Sequence, residues 1–412
     1  MAGARLAALP PEAPQSHAMP ALIGDGPGPW PLVATCTRGL EEVLADELRR
    51  LGAESVQPGR GMVELCGTMS TVIAANLELR SAMRVLLPLA TDPVRSRDDL
   101  YQLAGSIHWE RLIARRQTIA VEVAGRSSSF RDTSFAARVV KDAVVDRIRR
   151  RHGQRPDVDR ADPDLRLHLH LSDQLTSLSL DSTGHPLSHR GYRPRAGPAP
   201  LAESLAAGIL LLAGYDGSQP LYDPMCGSGT LPVEAALIAT RTAPGLRRGF
   251  AFERWPQHEP ALLERLRHQA GARSRPALAP LYASDRDRRA VAATRRSLEA
   301  AGVERWVEVR QQELAQLDVP FQNGLVVLNP PYGHRIGEAA DLPELYRTLG
   351  SRLKHHATGN TAWVLTGSRA LAAEIGLRTS RRIVLFNGPL ECRLLRFDLY
   401  PGTERRQAAR DQ

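Results

Sequence analysis

Between residues 220 and 400, short apolar segments alternate with longer segments of helical periodicity, and this alternation strongly constrains the fold. It is typical of an α/β domain in which a mainly parallel sheet carries helices on both faces. Strands are predicted at Pro220–Asp223, Leu281–Asp285, Val307–Arg310, Gly324–Asn329, Thr361–Leu365, Arg382–Phe386 and Cys392–Tyr400. Helices are predicted at Leu231–Thr240, Arg288–Ala301, Leu342–His356 and Arg369–Ile375. Only Asn387–Pro389 joins the last two strands, which is too short for a crossover helix, so we expect an antiparallel C-terminal hairpin.

The chain before residue 184 is organised differently and predicts two small α+β units. The first has strands at Leu32–Cys36, Val63–Cys66 and Leu86–Ala90, and helices at Gly39–Leu51 and Met69–Leu77. The second has a strand at Thr118–Val123, a helix at Phe135–Arg151, and a hairpin of Leu165–Leu171 with Leu175–Leu180. Residues 1–30 are rich in Ala, Pro and Gly, and we expect a disordered leader there. The stretch 184–200, rich in Gly, Pro, His and Arg, is either a linker or an ordered bridge.

Composition narrows the class of protein without defining a function. The formal net charge is +9, which suits an anionic partner such as nucleic acid, although an arginine excess also arises in a GC-rich genome. The four cysteines lie far apart, so we expect neither a disulfide framework nor a metal site, and a reducing, cytoplasmic location fits. The sequence has no uninterrupted apolar run of about 18 residues, and we expect no membrane span.

Basic residues concentrate in the predicted helix Phe135–Arg151 and in the stretch 184–200. The candidates for contacts with RNA phosphate are Arg138, Lys141, Arg149, Arg190, Arg193 and Arg195. The alternative is a solvated helix face in an arginine-rich protein.

The segment Asp223–Thr230 is a glycine loop between a predicted strand and a predicted helix. Its candidate ligand-binding residues are Asp223, Pro224, Cys226, Gly227, Gly229 and Thr230. Two glycines allow close approach of a ligand to the backbone, and free N–H groups at a helix start suit a polar group. The loop has neither the Gly-Lys-Ser/Thr of a P-loop nor the third glycine of a dinucleotide fingerprint. A tight turn without a ligand is the alternative, and Cys226 is better explained as a packed small residue than as a nucleophile.

Acidic residues follow the next two predicted strands. Asp285 ends the strand after the glycine loop, where a carboxylate can accept hydrogen bonds from ribose hydroxyls in doubly wound sheets. Glu313 follows the strand after that and could accept a hydrogen bond from an adenine amine. Asp287 is a less favoured substitute for Asp285, and surface charge is the alternative for each carboxylate.

Asn329, Pro330, Pro331 and Tyr332 directly follow the apolar strand Leu325–Leu328 and form the candidate catalytic loop. Two prolines make the loop rigid at the rim where such sheets bind ligands. An exocyclic base amine is a poor nucleophile because its lone pair is delocalised. The Asn329 side-chain oxygen and the Pro330 carbonyl can accept its two N–H groups, and Tyr332 can stack on an extruded base. The alternative is a type I turn with a buried tyrosine.

The order of these motifs resembles the THUMP-containing guanine-N2 RNA methyltransferases, and most closely the branch that acts on bacterial large-subunit ribosomal RNA. The resemblance runs from about Leu32 to Tyr400 and covers the glycine loop and the Asn-Pro-Pro-Tyr-Gly motif. Further matching segments are Thr37–Glu42, Val140–Asp146, Arg155–Arg160, Arg190–Arg193, Ala199–Glu203 and Ala243–Leu246.

This resemblance implies a Rossmann-like class I methyltransferase domain at residues 201–412, after part of a ferredoxin-like unit (31–70), a THUMP RNA-binding domain (71–183) and a linker (184–200). It implies S-adenosylmethionine as cofactor and guanine N2 of 23S ribosomal RNA as the target atom. Some relatives carry a second methyltransferase domain; we expect one activity here. Glu313 departs from the aspartate common in the family, which puts its adenine contact in doubt.

Other functions fit parts of the pattern. A tRNA guanine-N2 or a DNA adenine-N6 methyltransferase would use the same tetrapeptide, and the N-terminal RNA-binding unit disfavours DNA. A non-catalytic RNA-binding assembly factor is disfavoured by the intact glycine loop, Asp285 and Asn329. A nicotinamide dehydrogenase is disfavoured by the missing third glycine.

Overall fold

The computed structural model describes residues 28–114, 116–153, 156–193, 201–332 and 341–401. Within these ranges the strands form two sheets, one of eight strands and one of seven. Residues 1–27 of the predicted leader lie outside the described residues. So do residues 194–200 of the predicted linker, which include Arg195. None of the described helices is long and apolar enough to cross a membrane.

The first sheet spans both predicted α+β units. Its strands are β1 (Trp30–Cys36), β2 (Glu54–Gly59), β3 (Met62–Gly67), β4 (Ala82–Asp92), β5 (Thr118–Gly125), β6 (Asp157–Val158), β7 (Leu165–Leu171) and β8 (Thr176–Asp181). Its helices are α1 (Glu41–Arg50), α2 (Met69–Glu78), α3 (Arg97–Ser106) and α4 (Thr133–His152). The strand order is β2-β3-β1-β4-β8-β7-β5-β6. Because β4 pairs with both β1 and β8, one continuous sheet joins the two units.

The predicted hairpin is confirmed, since β7 and β8 pair antiparallel with Leu169 opposite Leu178. Strands β2 and β6 and helix α3 were not predicted. Strand β2 is exposed along almost its whole length and includes Pro58, so it lacks the apolar alternation that marks a strand. Helix α3 begins with a capping box in which the Ser96 side chain accepts from the Asp99 amide at 3.1 Å, a local signal that the sequence does contain.

The second sheet has the predicted mainly parallel arrangement. Its strands are β9 (Leu221–Asp223), β10 (Leu281–Asp285), β11 (Val307–Gln311), β12 (Leu325–Leu328), β13 (Thr361–Thr366), β14 (Arg381–Asn387) and β15 (Leu390–Asp398). Its helices are α5 (Glu203–Leu212), α6 (Thr230–Ala239), α7 (Pro260–Ala272), α8 (Arg288–Ala301), α9 (Leu342–His356) and α10 (Arg369–Glu374). The order is β11-β10-β9-β12-β13-β15-β14, and β15 runs antiparallel to both of its neighbours, which confirms the predicted C-terminal hairpin.

The two sheets belong to one packed body. The Gly245 amide, in the segment after α6, donates to the Leu77 carbonyl of α2 at 2.9 Å. A Cβ on Gly208 of α5 would lie 2.4 Å from Leu40 Cδ1, so this helix packs closely against the first unit. Residues 184–193 between the sheets are ordered, and Leu187 and Tyr192 are buried. Of the two interpretations of this stretch, a linker or an ordered bridge, residues 184–193 fit the ordered bridge.

Candidate cofactor and catalytic site

The register of the second sheet brings the two candidate loops to one edge. Leu281 of β10 and Leu325 of β12 both pair with Leu221 of β9. Asp285 and Asn329 each lie four positions further along their chains, so they leave the sheet at the same level. One strand separates them, which corresponds to roughly 10 Å at the usual spacing of paired strands. The strand order reverses between β9 and β12, and ligands of doubly wound sheets bind at such a switch point.

The glycine loop is tied to the end of β10. The Cys226 amide donates to the Ser284 carbonyl at 2.9 Å, and the Gly227 amide donates to Asp285 Oδ2 at 3.0 Å. The other oxygen, Asp285 Oδ1, accepts from the Asp287 amide at 2.9 Å. The half-buried Asp285 carboxylate therefore orients the loop, while each oxygen retains a lone pair for a further donor.

The two loop glycines have different structural roles. Both have positive φ, +56° at Gly227 and +87° at Gly229. A Cβ on Gly229 would lie 3.0 Å from three atoms of Thr294 on α8, whereas a Cβ on Gly227 would meet no atom of the described ranges within 4 Å. The sequence interpretation assigned both glycines to close approach of a ligand. Only Gly227 faces open space, and Gly229 is required by the packing of the loop against α8.

The remaining loop residues are largely buried. Asp223 accepts from the Met225 amide at 3.0 Å, and burial raises the pKa of its carboxyl group to about 8. Pro224 is buried beside it, and Thr230 begins α6. Burial also raises the pKa of the Cys226 thiol, and its Sγ lies 3.4 Å from Thr294 Oγ1. A buried, protonated thiol suits packing rather than nucleophilic attack.

Glu313 lies at the same rim but is exposed and follows β11, two positions after the Asp285–Gln311 pair. Gln312, which the sequence interpretation did not single out, lies closer to the loop. The backbone amide of Gln312 donates to the Asp285 carbonyl at 3.0 Å, and its side-chain Oε1 accepts from the Tyr222 hydroxyl at 3.2 Å. Within the part of the chain that the structure describes, no group of three or more His, Cys, Asp or Glu side chains could hold a metal ion.

The Asn329 carboxamide has an uncommitted acceptor. Its Oδ1 is buried and accepts no hydrogen bond from any residue that the structure describes. A buried polar atom without a partner costs free energy, so such atoms in native proteins call for a functional explanation. Pro330 is buried and Pro331 is exposed, and they place the tetrapeptide on the rim.

Tyr332 is held from the other side by the C-terminal hairpin. Its hydroxyl accepts from Asn387 Nδ2 at 3.0 Å, and burial raises the pKa of this hydroxyl. A Cβ on Gly367, after β13, would lie 3.1 Å from Tyr332 Cδ2, so the ring lies against the backbone there. The sequence interpretation treated Asn387 only as part of a turn, because nothing local links it to a tyrosine 55 positions earlier.

Two of the predicted RNA contacts are corrected by the structure. The Arg190 side chain is 2% exposed and donates to Glu234 Oε1 at 3.3 Å, to the Leu187 carbonyl at 2.7 Å and to the Arg80 carbonyl. Its predicted contact with RNA is wrong, since every side-chain nitrogen is used inside the protein. Arg193 Nη2 likewise donates inward, to the Leu201 carbonyl at 2.9 Å and to Thr230 Oγ1 at 2.6 Å.

The three candidates on α4 remain accessible. The side chains of Arg138 and Arg149 are 56% and 63% exposed and pair with nearby aspartates at 3.5 and 3.3 Å. Lys141 lies between them on the helix and pairs with its neighbour Asp142. Surface pairs of this kind are weak and leave the cations available to an anionic partner.

Comparison with known proteins agrees with this architecture. The RlmL ferredoxin-like domain family matches residues 31–86, the THUMP domain family matches residues 94–181, and the family described as "RMKL-like, methyltransferase domain" matches residues 190–396. "Ribosomal RNA large subunit methyltransferase K/L" of Syntrophotalea carbinolica is 43% identical over 386 residues, covering 90% of this chain and 54% of that protein. The chain therefore spans about half the length of that relative.

Two further relatives are matched over nearly their whole length. A "Putative RNA methyltransferase" of Synechocystis is 39% identical over 90% of this chain and 97% of its own length. The crystal structure of SMU.472, described as a putative methyltransferase complexed with SAH, has a TM-score of 0.82 and 30% identity, covering 91% of this chain and 99% of that one. On the matched domains and these identities, the chain belongs to the family of RMKL-like methyltransferase-domain proteins with N-terminal ferredoxin-like and THUMP domains.

Proposed function

We propose that this chain transfers a methyl group from S-adenosylmethionine to the exocyclic N2 amine of a guanine in 23S ribosomal RNA. The observation that carries the proposal is the buried Oδ1 of Asn329, which has no hydrogen-bond partner among the described residues and lies at the same level of the sheet as Asp285. The names of the relatives support ribosomal RNA as the substrate, and such a substrate implies a cytoplasmic enzyme.

The residues at the carboxyl edge fit the cofactor. The space in front of Gly227 admits a ligand against the backbone, and the Asp285 carboxylate can accept ribose hydroxyls with its remaining lone pairs. The glycine loop is supported by its buried residues Asp223, Pro224, Cys226 and Thr230. Glu313 or Gln312 lies where the adenine of the cofactor would be bound. When bound, S-adenosylmethionine supplies an electrophilic methyl group on a sulfonium.

The catalytic loop acts on the nucleophile. Asn329 Oδ1 and the Pro330 carbonyl accept hydrogen bonds from the two N–H groups of the amine. These bonds turn the nitrogen lone pair out of the base plane toward the methyl group. Tyr332 stacks on the extruded guanine, with its ring orientation set by Asn387. The nitrogen–methyl bond forms as the sulfur–methyl bond breaks, and the amine then loses a proton to water. Positioning therefore supplies most of the rate.

RNA reaches this site through the first sheet and α4. We assign phosphate contacts to Arg138, Lys141 and Arg149 on one helix of the region that the THUMP family matches; the two arginines are exposed and Lys141 is half-buried. Phosphate contacts provide affinity that does not depend on sequence, so the choice of nucleotide must come from elsewhere in the interface.

The test is single-turnover methylation of deproteinised 23S rRNA from cells that lack this gene, followed by identification of the methylated nucleoside by mass. Asn329→Ala should lower the rate on the order of 10²–10³-fold at saturating RNA, with nearly constant cofactor affinity. Asn329→Asp keeps the oxygen acceptor and should retain more of the rate. Tyr332→Ala should also weaken RNA capture, because base stacking is worth roughly 1–3 kcal/mol.

Three outcomes would overturn parts of the proposal. A wild-type rate in Asn329→Ala would make the loop structural. Methylation of tRNA but not of 23S rRNA would change the substrate. Tight RNA binding without methylation of either RNA would favour a non-catalytic assembly factor.

A further inference from the structure

Arg38, in the turn between β1 and α1, is exposed and lies over an aromatic ring of the other sheet. Its guanidinium carbon lies 4.2 Å from the centroid of the Phe386 ring on β14. Arg38 donates no hydrogen bond and forms no ion pair with any residue in the part of the chain that the structure describes. Its N–H donors are therefore available, unlike those of the internally bonded Arg190.

The turn that carries Arg38 is held in place from two directions. The Glu41 carboxylate accepts from the Gly39 amide at 2.7 Å and from the Gly61 amide at 2.8 Å. Gly39 has φ +93°, and a Cβ there would lie 2.3 Å from the Val384 carbonyl of β14. The turn is thus fixed between the two sheets, and Arg38 is positioned before any ligand binds.

This position lies at the same end of β14 as the residue that holds Tyr332. Phe386 immediately precedes Asn387, whose side-chain amide donates to the Tyr332 hydroxyl at 3.0 Å. Side chains of consecutive strand residues point to opposite faces, so Arg38 and Tyr332 flank the end of β14 from two sides. Arg38 therefore lies at the same end of the sheet as Tyr332 but on the other face of β14.

The surrounding surface is basic. Arg60 adjoins the clamped Gly61, and the exposed Arg382 lies on the same face of β14 as Phe386, four positions earlier. The exposed carboxylate of Glu391, opposite Phe386 on β15, forms an ion pair with Arg393 at 3.7 Å. These guanidinium groups are placed where they could contact the phosphates of a nucleic-acid backbone.

We propose that Arg38 and Phe386 form a docking place for RNA that flanks the methylated guanine; this inference rests on the proposed function. Single-stranded RNA is recognised by stacking bases on aromatic rings or guanidinium planes, and enzymes that extrude a base contact its neighbours. A guanidinium with one face on Phe386 presents the other face to a base and its edge to a phosphate. The surface joins the first sheet to the edge strand of the second, so RNA bound to both is aligned with the catalytic loop.

A purely structural clasp between the two sheets is the competing role of this pair, and the chain offers a matched control. Arg305 also places its guanidinium over an aromatic ring, 4.7 Å from the centroid of Trp306. That pair directly precedes β11, at the amino end of the sheet and on the edge farthest from β14. Losing it removes the same charge and the same kind of stacking away from the site.

The experiment measures binding of deproteinised 23S rRNA at several salt concentrations for the full chain carrying Arg38→Gln, Arg38→Lys, Phe386→Leu or Arg305→Gln. Arg38→Gln should weaken binding about tenfold and reduce the slope of log affinity against log salt by about one, with unchanged cofactor affinity. Arg38→Lys should keep the slope but lose affinity, because it keeps the charge and loses the planar stack. Phe386→Leu should lose affinity at an unchanged slope.

Equal binding by Arg38→Gln and Arg305→Gln overturns the docking place, and a lowered melting temperature of Arg38→Gln alone would then identify a clasp. These outcomes are separable from the proposed function. If wild-type protein leaves 23S rRNA unmethylated while Arg38→Gln still weakens binding, the methylation proposal fails and the docking place stands. If wild-type protein methylates 23S rRNA while Arg38→Gln and Arg305→Gln bind it equally well, the docking place fails and the methylation proposal stands.

Discussion

Replacing Glu234 with alanine tests the buried ion pair that connects the two sheets. Glu234 lies on α6 with a side chain that is 0% exposed, and its Oε1 accepts from Arg190 Nε at 3.3 Å and from the Tyr192 hydroxyl at 3.1 Å. Arg190 also donates to the Arg80 carbonyl, at the end of the first unit's second helix. The variant therefore leaves a buried guanidinium without its counter-charge.

Breaking a buried pair by removing one partner costs about 3–5 kcal/mol. We expect the lower end, about 3 kcal/mol, because the Leu187 and Arg80 carbonyls still accept from Arg190. The matched control is Glu264→Ala on α7, where the carboxylate is 73% exposed and lies 3.5 Å from Arg267. An exposed pair is worth about 1 kcal/mol or less.

The assay is urea unfolding followed by tryptophan fluorescence, with the free energy of unfolding taken from the midpoint at unchanged slope. The double variant Arg190→Met/Glu234→Leu removes both charges and should recover most of the loss, since apolar replacement of a whole buried pair is often neutral. If Glu234→Ala and Glu264→Ala unfold at the same urea concentration, the reasoning about this pair is refuted.

Two further predictions concern the glycine loop. Gly229→Ala should lower the free energy of unfolding by about 1–3 kcal/mol, because Gly229 has a positive φ and its Cβ would contact Thr294. Gly227→Ala shares only the positive φ, so it should destabilise the protein less and should weaken cofactor binding in calorimetry more; equal effects of the two variants on both quantities would contradict these roles. The pKa of Asp223, raised by burial to about 8 from 3.8, means that the unfolded chain ionises first and that wild-type stability falls as pH rises between these values. Asp223→Asn should gain stability relative to wild type across that window, and parallel pH curves for the two proteins would disprove the assignment.

Much of the second sheet could be predicted because its elements carry local signals. The bounds of β10, α8 and α9 agree with the sequence prediction residue for residue. Helix α8, for example, begins after Asp287, whose side chain accepts from the Arg289 amide at 2.8 Å, and ends at Gly302 with φ +69°. Helix α5 was missed because its first eight residues are all buried, which leaves no alternation of polar and apolar positions to detect.

The charged residues show where prediction from the sequence ends. A basic stretch indicates how many cations are present but not which partners they find after folding. Arg190 and Arg193 lie in the bridge between the sheets and donate to carbonyl and side-chain oxygens that come from distant parts of the chain. Arg138 and Arg149, on one face of α4, stay in solvent.

The sequence by itself determined that the glycine loop, Asp285 and Asn329 meet at one edge, because parallel strands bring their carboxyl ends together whatever the details of packing. Only the tertiary structure decided that Gly229 packs against α8 while Gly227 does not, that Asn387 holds Tyr332, and that Arg38 lies over Phe386. These contacts join residues far apart in the chain. They depend on how helices pack on the sheet and how the two sheets dock, which no local pattern of residues records.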